Sequence, residues 1–167
     1  MRVHVVDGSP VHECGMCGAR FGARVAVEAL AFADEAKLRG VAAGIWPLVR
    51  VLERLPGLAV RTSAAPDAAA GVLPFVELGA TSPQALVQLE NLAKSLRLGA
   101  GSLRLHWIVE VEYQHHLAFV LKPRHGGGPV PAAMVRDAVI DLDALHRLLE
   151  RDTRLSWWRH AGPGPGA

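Results

Sequence analysis

Leu103-Arg104-Leu105-His106-Trp107-Ile108-Val109-Glu110-Val111-Glu112-Tyr113 is the stretch on which the fold turns. Its odd positions, Leu103, Leu105, Trp107, Val109, Val111 and Tyr113, are apolar, while Arg104, His106, Glu110 and Glu112 hold even ones. Alternation of this kind marks a strand with one face buried and one face wet. Leu117 to Leu121 then returns as a second apolar strand. Pairing Val111 with Phe119 and Val109 with Leu121 keeps both apolar sets on one face, and a slip of one residue would expose one of them. The register therefore predicts an antiparallel hairpin closed by Gln114-His115-His116.

Upstream of the hairpin, Thr81-Ser82-Pro83 is a helix-start signal, a capping hydroxyl followed by proline in the first turn. The helix is expected to run to about Leu98, with Leu86, Leu89, Ala93 and Leu96 inward and Gly99 and Gly101 ending it. Before it, Leu58 to Thr62 and Val72 to Leu78 read as strands, separated by an Ala-rich loop over 63–71. Pro74 then needs a place where no ladder donor is required. Two earlier helices are expected, one over 23–39 ended by Gly40. The other starts at Pro47, buries Leu48, Val49, Leu52 and Leu55, and stops at Pro56-Gly57.

Downstream, residues 131–152 contain at least one helix. Its best part is Leu142 to Arg151, with Asp141 as a candidate cap, whereas Val135 to Ile140 reads equally as helix or strand. Leu155 to Trp158 is expected to pack back on the body, and 161–167 to be a disordered tail. Paired strands alternating with helices predict an α+β fold. The expected form is a two-layer sandwich of a mainly antiparallel sheet with helices on one side, preceded by an N-terminal knuckle-like turn and helices. It forms one domain over 1–160, with the knuckle region at 1–22.

Composition narrows the function classes. Of the 167 residues, 50% are hydrophobic and 20% charged, enough apolar material for a core and the opposite of a disordered chain. The 18 Lys and Arg nearly balance the 16 Asp and Glu and are scattered, which argues against a dedicated nucleic-acid binder; local RNA or phosphate binding stays open. No apolar run is long enough for a membrane span. Met1 to Asp7 lacks the apolar core of a signal peptide, so a cytoplasmic location is expected. Two cysteines three positions apart in a reducing compartment point to metal or redox chemistry.

Those cysteines lie in His12-Glu13-Cys14-Gly15-Met16-Cys17-Gly18. Two thiolates separated by two residues can bite one tetrahedral zinc ion, and a glycine after the second lets the turn take positive φ. Cys14-Gly15-Met16-Cys17-Gly18-Ala19-Arg20-Phe21 resembles one knuckle of the zinc-ribbon and rubredoxin families, where Cys-x-x-Cys-Gly sits on a hairpin. The second Cys-x-x-Cys of those families is absent. The remaining ligands would be histidines, His12 and His4 first, then His115, His116 or His125, or a site shared across a dimer.

The alternative is thiol–disulfide exchange. A strand, Cys-Gly-x-Cys and a helix resembles the thioredoxin layout, with Val72-Leu73-Pro74-Phe75-Val76 similar to the proline-led strand that faces the redox pair there. Gly15, Gly18 and Gly22 oppose it, each costing about 1 kcal/mol relative to Ala where a helix would start. A third reading leaves both cysteines unligated.

Leu55-Pro56-Gly57-Leu58-Ala59-Val60-Arg61-Thr62-Ser63 resembles the start of the wybutosine-synthesis methyltransferase family that modifies transfer RNA. That family carries Ser and Cys in the loop where this chain has Ala64 and Ala65, so the resemblance implies a layout and no activity.

Elsewhere, His106, Glu110 and Glu112 could form an acid/base set on one strand face, or be a solvated surface. Gly126-Gly127-Gly128 lacks the Lys-Ser/Thr of a phosphate loop, and Trp157-Trp158 suits a core edge or a partner patch. The expected function is a zinc-binding accessory or binding module with a structural metal, partnered by another protein or a second copy of the chain.

Overall fold

The computed structural model describes residues 35–37, 39–113 and 116–155, together with the strand backbones 2–6, 9–13 and 20–22. Those three strands, β1 (Arg2–Val6), β2 (Ser9–Glu13) and β3 (Arg20–Gly22), form an antiparallel sheet in sequence order. Most of the helix expected over 23–39 lies outside the described residues. Its end is described and shows why it stops. Gly40 has φ +68°, its N–H donates to Lys37 O at 3.1 Å, and Val41 N–H reaches back to Ala36 O at 2.9 Å. This is the Schellman arrangement, which requires a left-handed residue that glycine supplies without strain.

Helix α1 (Trp46–Leu52) carries Pro47 in its first turn and buries Trp46, Leu48, Val49, Val51 and Leu52. The chain reverses at Gly57, φ +79°, into β4 (Leu58–Ala64), which pairs with β5 (Phe75–Ala80). Strand β4 starts where the sequence places it and runs two residues further, while β5 sits a little later than expected. Pro74 precedes β5, so no ladder bond is lost.

Helix α2 (Gln84–Leu98) follows, then a short 3₁₀ turn at Ala100–Ser102. The hairpin of β6 (Trp107–Tyr113) and β7 (Leu117–Pro123) closes the sheet, and α3 (Ala132–Asp152) ends the described chain apart from residues 153–155.

The sheet order is β4-β5-β7-β6, with every neighbouring pair antiparallel. The hairpin register is the one the alternation demanded: Val111 opposite Phe119 and Val109 opposite Leu121. Val76 and Leu78 continue the same rows on β5. This face meets the helices in one core that includes Leu52, Leu89, Leu92, Leu145 and Leu149. The fold is α+β, with a helix layer on one face of a four-stranded antiparallel sheet.

Four details differ from the expectation. The strand begins at Trp107, because Leu103 to His106 is drawn toward α3 before it joins the sheet. Helix α2 starts where the Ser-Pro signal places it, yet Ser82 makes no side-chain cap; its hydroxyl lies against Gly57, and Pro83 holds the cap position. The buried stripe of α2 runs through Ala85, Gln88, Leu89, Leu92, Ser95 and Leu96, so Leu86 and Ala93 face outward. Polar residues in the stripe disguised it. Residues 135–140 are helical, and Asp141 sits inside α3, not at its start.

Candidate functional site on the open face of the sheet

Strand alternation sends the even positions of β6 and β7 and the odd positions of β5 to the face opposite the helices. Glu77 and Glu110 flank Val120 in one cross-strand row, and Glu112 lies opposite Ala118 in the next. Lys122, opposite Ile108, reaches diagonally to Glu110 Oε2 at 2.5 Å and Glu112 Oε1 at 2.7 Å. His116 Nε2 lies 3.2 Å from Glu77 Oε1. Together these side chains roof Ala118 and Val120, which are buried although no described helix covers them.

Next to the clamp the face is hollowed into a depression of about 470 Å³. Phe75, Ile108 and Val120 are among its apolar lining, and Glu77, Glu110, Glu112, Lys122, Arg124 and His125 supply charged or polar groups. A volume of this size with a few convergent polar groups falls in the range of small-ligand and peptide sites. A smaller adjoining cavity of about 40 Å³ is walled by Glu77, Glu112, His116 and Ala118.

The Lys122 ammonium is held above its ordinary pKa of 10.5, first by its hydrogen bond to Glu110 and then by that to Glu112, against a smaller opposing effect of burial. It is therefore a fixed cation at neutral pH and no proton acceptor. The clamp suits charge recognition better than acid/base chemistry.

Because the folded pKa is raised, the clamp's contribution to stability is complete below the unfolded pKa. It is lost as pH rises through the folded value. Urea midpoints measured at about pH 9 and about pH 12 should fall further for the wild type than for Lys122→Met. Parallel falls would show that the clamp contributes nothing.

The candidate residues of the sequence are dispersed. Arg104 Nη1 donates to Asp137 on α3 at 3.0 Å, and so leaves the Glu110/Glu112 face. His106 precedes β6, its carbonyl accepting from Arg124 N–H at 2.7 Å. His125 Nε2 lies 3.2 Å from Gly128 O. His115, Cys14, Cys17 and Trp157-Trp158 lie outside the described residues. His12 stands opposite Val3 and Phe21, and His4 opposite Val11, in adjacent rungs of the N-terminal sheet.

Among the described residues, no group of three or more His, Cys, Asp or Glu is arranged to hold a metal ion. No helix among them is long and apolar enough to cross a membrane.

Glu77 and Lys122 were not singled out from the sequence. Glu77 had a signal: it is the lone charge in the apolar run Val72 to Leu78. Lys122 had one as well: one residue past Leu121, it is set opposite Ile108 and diagonal to Glu110 by the hairpin register. No family model matches the chain, and neither does any curated protein or solved structure.

Proposed function

We propose that this chain is a zinc-binding accessory module. Cys14 and Cys17, completed by His12 and His4, hold a structural ion at the N-terminal sheet, and the α+β body offers the surface that engages a partner. The supporting observation is the pairing of Glu13 with Arg20, the last residue of β2 and the first of β3. The segment 14–19 therefore joins two antiparallel strand ends, the setting of a Cys-x-x-Cys-Gly knuckle. A thioredoxin-type thiolate needs a helix start at that point to lower its pKa, and here the next described element is a strand. The wybutosine-type layout of α1, Gly57, β4 and β5 adds no chemistry, since Ala64 and Ala65 carry neither hydroxyl nor thiol.

Elemental analysis of the purified protein should find about one zinc per chain, lost in Cys14→Ser and Cys17→Ser. His12→Ala and His4→Ala should each lower the zinc content. A wild-type protein carrying far less than one zinc per chain would end the proposal.

A further inference from the structure

The two edges of the four-stranded sheet are unlike. On β4 the register shifts between Val60 and Thr62, a bulge of the kind that blunts an edge. Arg61 at that bulge lies over Gly79, where any side chain would collide with the guanidinium. Strand β6 has no such device. It pairs with β7 residue for residue from Trp107 to Tyr113, without a shift and without proline. Among the described residues, no strand covers its outer edge. A straight, unpaired edge of this length is a template for another strand.

The side chains along that edge have a definite chemistry. On the helix-side face, Val111 and Tyr113 are 60% and 77% exposed, beside Leu117 at 49%. Tyr113 and Leu117 are cross-strand partners at the tip of the hairpin. On the opposite face, Glu110 and Glu112 share the single ammonium of Lys122, which leaves a surplus of negative charge at the rim of the depression.

We propose that the outer edge of β6 takes an extended segment of a partner protein in which apolar residues alternate with Lys or Arg, added as a further strand. Its apolar positions would cover Val111 and Tyr113, and its basic positions would meet Glu110 and Glu112. Backbone bonds supply affinity in this mode, and alternate side chains supply specificity. A second copy of the chain fits less well. In the antiparallel register of full overlap Glu110 meets its own copy, and one step along it meets Glu112, and like charges directly opposite are unfavourable. The inference rests on reading the chain as a binding module and not on its metal, so the zinc content of the same preparation reports separately on the knuckle.

The test is calorimetric titration of the full chain at low salt with three synthetic peptides. One alternates Val and Lys, one alternates Val and Glu, and one repeats the Val-Lys sequence with alternate backbone nitrogens methylated. The Val-Lys peptide should bind about tenfold tighter than the Val-Glu peptide, as expected for two rungs changed from attraction to repulsion. Methylation should abolish binding. Glu110→Gln/Glu112→Gln should erase the preference for Lys over Glu. Equal affinity for the Val-Lys and Val-Glu peptides, or binding that survives methylation, overturns the proposal, and both readouts use the wild-type chain. A wild-type chain that sediments as a dimer and loses that dimer in Val111→Lys overturns it in favour of self-association.

Discussion

Replacing Asp141 by alanine should cost about 3–5 kcal/mol of folding stability, the largest effect expected of any polar residue among those described. The carboxylate is fully buried in the middle of α3. Its Oδ1 accepts Arg104 N–H at 2.8 Å; its Oδ2 accepts Leu105 N–H at 2.8 Å and Trp107 Nε1–H at 3.0 Å. Those backbone donors belong to the stretch between the 3₁₀ turn and β6, where the chain has left one ladder and not yet joined the next. Asp141 stands in for the missing strand. Truncation leaves three donors without their acceptor, the Trp107 indole in a buried position and the Arg104 and Leu105 amides at its part-buried margin, and the buried loss carries the full desolvation cost.

Asn is no conservative substitute there, because one carbonyl oxygen cannot serve donors on both sides. Urea unfolding measures the loss, and faster amide exchange at Arg104 and Leu105 should accompany it. A loss below about 1 kcal/mol would mean that the brace is dispensable.

Trp46→Ala should cost a comparable amount, about 3–5 kcal/mol, for a different reason. Trp46 is among the largest fully buried side chains, packed at the start of α1. Its Nε1–H donates to Glu35 Oε2 at 3.2 Å, tying α1 to the helical end that Gly40 closes. Alanine would leave a cavity that the surrounding Leu and Val side chains can fill only in part. Trp46→Phe separates the two contributions: it keeps most of the packing and loses the hydrogen bond, so about 1 kcal/mol is expected. Urea unfolding of both variants decides. An alanine variant within about 1 kcal/mol of wild type would show that the site collapses freely.

How much of this was legible in the chain depends on the range of the interaction. The β6–β7 hairpin could be read to the residue, because alternation leaves a single register that buries both apolar sets. The end of the first helix could be read from Gly40 and the reversal into β4 from Gly57, whose positive φ values only glycine takes cheaply, whereas α1 stops earlier than expected, at Leu52. The inward face of α2 could not. Gln88, Asn91 and Ser95 occupy buried positions, while Leu86 is 64% exposed. Hydrophobicity alone therefore points the helix the wrong way round by about one residue. Asp141 was open to the same error. An Asp ahead of a leucine stripe looks like a cap until the partners that claim it, far upstream in sequence, are in place.

The hairpin stretch from which the fold was read thus determined by itself which side chains go in and which go out, since strand pleating fixes that from one residue to the next. Tertiary structure decided what the outward side chains do. Inserting β7 between β5 and β6 brings Glu77 and Glu110 to either side of Val120. It also leaves β6 at an open edge with its apolar tip uncovered. Pairing order among distant strands is written in no local period. With it come the depression and the edge.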